Sequence, residues 1–138
     1  MTRLKPPIYA LLLIFAVSCA GTKVRNKVLA PALTSAWKNV AADCEMGIRA
    51  TADAQEDEAA TTALMRQRVK DFASAISAKD VASLGVLRAS WASLRPYAER
   101  GITERVRSGE ISAPASQLGL ERVKNFEAAL LKLTERPR

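Results

Sequence analysis

The chain has 138 residues, 49% of them hydrophobic, a formal charge of +7 and no histidine. That length holds one domain, and the missing histidine removes the commonest general base and the commonest metal ligand together. With many alanines, six glycines, six prolines and no runs of Val, Ile, Thr and aromatics, the composition favours helix over strand.

The chain opens on "MTRLKPP", which supplies Arg3 and Lys5 and no acid. Ten apolar residues follow, Ile8 to Val17. A spanning helix needs about 20 apolar residues, so this run is too short to cross a bilayer. A charged start, a short apolar middle and small residues after it mark an export signal.

The small residues Ala16, Val17 and Ser18 stand directly before Cys19. This run resembles the lipobox of bacterial lipoproteins, although that family prefers Leu at the first position and Gly or Ala at the third. The resemblance covers only the leader. It implies removal of residues 1–18, a diacylglyceryl group on the Cys19 sulfur and acylation of the new terminus. The non-acidic Ala20 then implies sorting to the outer membrane of a Gram-negative cell, facing the periplasm. "SCA" also fits ordinary cleavage after Ala20, and the leader can alternatively persist as an anchor.

Residues 19–30 read as a short basic tether with Lys23, Arg25 and Lys27. Without the leader the chain keeps 19 basic and 14 acidic residues, a net +5 that favours anionic surfaces. Either cleavage route leaves Cys44 without an internal disulfide partner. Leu33, Trp37, Val40, Cys44 and Ile48 share one face of a helix, so Cys44 is expected in the core, with an intermolecular disulfide as the other reading.

Residues 31–138 read as four amphipathic helices. The first spans about residues 31–50. Asp53 is expected to cap the second, about 54–78, with Glu56, Asp57 and Glu58 in its first turn. Met65, Val69, Phe72 and Ile76 form its stripe. Asp80 caps a third helix in which Leu84, Leu87, Trp91, Leu94 and Ala98 face the core. Pro96 is expected to kink or break this helix, with Ile102 and Val106 carrying the face on towards Ser108 and Arg100 pairing with Glu104. Gly109 and Ser112 separate it from a last helix, about 113–134, with Leu120, Val123, Phe126, Leu130 and Leu133. Four such segments with short connections predict an all-α fold, a small antiparallel helical bundle.

No phosphate-binding loop and no nucleophile elbow is present. No catalytic residue, cofactor or metal site is read from the sequence. The nominal carboxylate pairs, Glu99 with Glu104 and Asp43 with Glu45, suit glycoside hydrolysis in principle. Arg66, Arg68, Lys70, Arg105 and Arg107 are the candidate contacts to an anion. The expected protein is a non-catalytic binding or assembly module, held to a membrane by its lipid. Its partner is an envelope protein or an anionic envelope polymer, and nucleic acid is not expected. The alternatives are a cell-wall hydrolase or lysis accessory, and a surface-modifying lipoprotein carried by a phage or other mobile element.

Overall fold

A computed structural model of the chain describes residues 29–135; the leader, Cys19 and residues 19–28 of the tether lie outside the described residues. Four helices form: α1 Pro31–Asp53, α2 Ala59–Ser77, α3 Val81–Arg107 and α4 Ala113–Leu133. The all-α bundle expected from the periodicity is the observed fold. No described helix is long and apolar enough to cross a membrane.

Each helix buries the stripe that its spacing marks out. Leu33, Trp37, Val40, Cys44 and Ile48 of α1 are buried, as are Met65, Val69, Phe72 and Ile76 of α2. Leu84, Trp91, Leu94, Ala98 and Ile102 of α3 meet Val123, Phe126, Leu130 and Leu133 of α4 in the same core. Full burial of such side chains contributes about 1.5–3 kcal/mol each. Cys44 is one of these core groups: it is a free thiol with no exposed surface, and burial pushes its pKa up to about 12.

One aromatic from each helix meets in a layer across the bundle. Trp37 lies against Phe72 and Phe126, and Trp91 lies against the same two rings, with centroid distances from 4.9 Å to 6.3 Å. Tilted and edge-on contacts of this kind are the favoured geometries for aromatic pairs. The layer also fixes direction. Trp37 lies near the start of α1, Phe72 near the end of α2, Trp91 in the first half of α3 and Phe126 in the second half of α4. Successive helices therefore run antiparallel.

Beyond this layer α1 and α3, the diagonal pair, make the most extensive helix–helix contact of the bundle. Two glycines permit it. A Cβ on Gly47 would stand 1.8 Å from the Tyr97 carbonyl oxygen, and one on Gly101 would stand 1.9 Å from that of Asp43. The two main chains touch, and α2 and α4 flank them.

The helix ends depart from expectation at one connection. α1 runs on to Asp53, and α2 begins five residues later than the acidic run suggested, with Glu58 as its N-cap and no side-chain cap bond. Asp53 is therefore the last residue of one helix and not the cap of the next. The cause is a six-to-one closure: Gln55 donates to the Ala52 carbonyl and Glu56 to that of Thr51, with Gln55 at φ 59°. This arrangement satisfies terminal carbonyls that the helix otherwise leaves open. Lys79 and Gly109 close α2 and α3 in the same way, at φ 56° and 81°.

The Asp80 and Ser112 caps form as expected, accepting from the backbone N–H groups of Ser83 and Ala115. α3 continues through Pro96 without a break. Proline inside a helix costs about 3 kcal/mol, and the buried side chains on both sides of it, Trp91, Leu94, Ala98 and Ile102, offset that cost. Ala92, whose carbonyl loses its N–H partner to the proline, is exposed to water.

Candidate interaction surface

Three groups of charged side chains tie the helices together or line the surface between them, each set by helix position. At the aromatic layer, Glu127 of α4 accepts from the Trp91 indole N–H at 3.0 Å and pairs with Arg95, which also reaches Glu99 at 3.2 Å. Glu127 thus joins α4 to α3 through one buried and one half-buried partner.

The second group is built on Asp43, which is only 4% exposed. It lies 3.4 Å from Arg105, whose guanidinium is also 3.7 Å from Glu110. Burial holds the Asp43 carboxyl above its usual range, opposed by the positive charges of Arg105 and Arg122. Desolvation thus outweighs the paired charges, as is common for buried ions. Glu45, its neighbour in sequence, points to solvent, so those two do not form a carboxylate pair.

The third group lines an open groove of about 500 Å³ between α1 and α3, walled by Arg49, Asp53, Arg100, Glu104 and Arg107. Arg100 crosses to the α1–α2 connection, where it meets Glu56 at 2.8 Å, and does not make the expected bond to Glu104. Glu104 pairs with Arg107 instead. Beside them the Tyr97 hydroxyl donates to Asp57 at 2.6 Å, and burial with this bond raises the tyrosine pKa to about 12. Glu56 and Asp57 therefore clip the connection to α3 instead of filling the first turn of α2. Arg49 makes no ion pair with any described residue and faces the groove with its charge open.

The five predicted anion contacts do not converge on one open site. Arg66 and Lys70 are exposed one turn apart on α2, whereas Arg68 is half-buried with its Nε unpartnered. Arg105 is committed to Asp43, and Arg107 to Glu104. The free cation of the groove, Arg49, went unremarked in the sequence because no neighbouring base draws attention to it.

Glu104 is held below the usual carboxylate range by its bond to Arg107. A general acid needs the opposite shift. Among the described residues no group of His, Cys, Asp or Glu is arranged to hold a metal ion. Among the described residues four large apolar side chains are exposed, Val86 and Leu131 on one side of the aromatic layer and Leu64 and Leu118 on the other. No protein-family model matches the chain, and no curated protein or solved structure shows a significant match to it.

Proposed function

We propose that this chain is a lipid-anchored protein of the bacterial envelope whose helical bundle binds another envelope component and performs no catalysis itself. The observation that carries the proposal is the run Ala16-Val17-Ser18-Cys19 behind a short apolar segment with a basic start. Pro31, where the bundle begins, follows Cys19 by twelve residues. Two or three acyl chains there hold a protein to a bilayer durably, since each buried methylene contributes about 0.8 kcal/mol. The bundle supplies a self-sufficient core, and the α1–α3 groove supplies an arginine with no ion-pair partner among the described residues.

Labelled palmitate fed to producing cells tests the anchor. The label is expected on the protein with Cys19 and absent from the Cys19→Ser variant; equal labelling of both rejects the lipid. A photocrosslinking side chain at Arg49, used in intact membranes, tests the binding role. It is expected to trap one dominant adduct, and the absence of any adduct from Arg49, Arg66 and Lys70 rejects that role. A salt series then separates the two partner classes, because an anionic polymer is released as ions screen the contact and a packed protein is released much less.

A further inference from the structure

Of the charged residues that wall the α1–α3 groove, Arg100, Glu104 and Arg107 are already engaged, Arg100 with Glu56 and Glu104 with Arg107. Arg49 and Asp53 remain. Both are exposed and stand one turn apart along α1. Neither forms an ion pair or a side-chain hydrogen bond with another described residue, and they do not pair with each other. A cation one turn before an acid is the weaker order for pairing on a helix. The groove thus keeps one open positive and one open negative charge side by side.

Asp53 also sits where its helix disfavours it. It is the last residue of α1, at the end where the backbone dipole is negative, and no basic residue occupies that last turn. α3 and α4 follow the opposite rule, with Arg105 and Arg107 in one last turn and Lys132 in the other. A bound cation beside Asp53 removes the repulsion. The cations of the facing wall, Arg100 and Arg107, are held by acids of their own.

We infer that this groove binds an aliphatic α-amino acid, its carboxylate on Arg49 and its ammonium against Asp53. Residues one turn apart on a helix have Cβ atoms about 6 Å from each other. Two opposite charges on one ligand carbon therefore fit between the two side chains, each beside its complement. The guanidinium offers a planar carboxylate two parallel N–H donors. Met46, Ala50 and Ala54 give the aliphatic chain an apolar surface, and the volume of about 500 Å³ falls within the range of small-ligand sites. The inference rests on the binding role proposed above and names the chemistry that the groove takes.

The full chain, isotope-labelled and held in non-ionic detergent, is titrated with norleucine to about 10 mM, a range suited to so small a ligand. Amide shifts are expected at residues 46–54 of α1 and 100–108 at the end of α3. N-acetylnorleucine lacks the ammonium and norleucinamide the carboxylate, and each is expected to bind about fivefold more weakly. Arg49→Gln is expected to abolish the preference for norleucine over its amide, and Asp53→Asn the preference over its N-acetyl form. Arg66→Gln, on α2, leaves both preferences unchanged. All three side chains are exposed, and circular dichroism checks that each variant is folded. Equal binding of the three ligands overturns the inference. So does the survival of both preferences in the variants, or the absence of shifts at the groove. A dominant adduct trapped at Arg49 then still upholds the binding role and gives it to a ligand of other chemistry.

Discussion

Gly47 and Gly101 stand where α1 crosses α3, each occupying the space through which the other helix's main chain passes. The obstacle to a side chain at either position is backbone, which cannot rotate aside as a flexible side chain does. Gly47→Ala and Gly101→Ala are each expected to cost about 3 kcal/mol or more, at the upper end for overpacking. Gly85 is the internal comparison, since a Cβ there meets nothing within 4 Å. Gly85→Ala is expected to stabilise by about 0.5–1 kcal/mol through helix propensity alone. Urea unfolding of the three variants reads both signs, and a neutral Gly47→Ala defeats the close-crossing account.

The left-handed closing positions of α1, α2 and α3 hold Gln55, Lys79 and Gly109. Side chains strain this backbone region by about 1–2 kcal/mol and glycine does not, though glycine loses more entropy on folding. Gln55→Gly is expected to raise stability by about 0.5 kcal/mol, while Gly109→Ala lowers it. Thermal melts in which both substitutions move in the same direction contradict this reading.

Asp43 gives the protein an unusual pH response. Because burial raises its folded pKa above the ordinary 3.8, the folded state holds this proton more tightly than the unfolded chain does. The stability from that proton is complete below the unfolded value and is lost as pH rises through the raised one, the reverse of a salt-bridged carboxylate. Asp43→Asn cannot titrate. Measured by urea unfolding at pH 7 and about pH 3.5, the wild type is expected to gain on the variant as pH falls. A gain in the other direction means that attraction to Arg105 outweighs desolvation.

Glu127 serves two donors at once, the Trp91 indole and the Arg95 guanidinium. Glu127→Ala leaves the indole N–H of a nearly buried tryptophan without its acceptor, and is expected to cost about 1–2 kcal/mol. Glu127→Gln keeps an oxygen for Trp91 and is expected to cost less. Chemical denaturation ranks the pair, and equal losses assign the effect to something other than the indole bond.

The apolar faces were legible from spacing because burial in a bundle follows helical periodicity: Leu33 to Ile48 and Val123 to Leu133 read directly as core. The Asp80 and Ser112 caps were legible for a similar reason, since both act on residues three positions away. The α1–α2 boundary was not. Glu56 and Asp57 look like first-turn acids, but their partners, Arg100 and Tyr97, lie 44 and 40 residues further along. Local rules carry no information about such distant partners. The same holds for Gly47 and Gly101, ordinary helix-interior glycines until two helices are laid across one another. The α1–α3 groove exists only through that crossing, which is why Arg49 gave no signal while the more conspicuous Arg66, Arg68 and Lys70 did.

A square arrangement of four helices keeps a hollow along its axis, the place where bundle proteins lodge haem or paired metal ions. Drawing the diagonal helices together flattens that square to a lozenge and closes the hollow with main chain, while four rings plug what is left at the other level. The axis of the described bundle is thus filled by main chain and aromatic rings, and the groove that holds Arg49 opens to solvent instead.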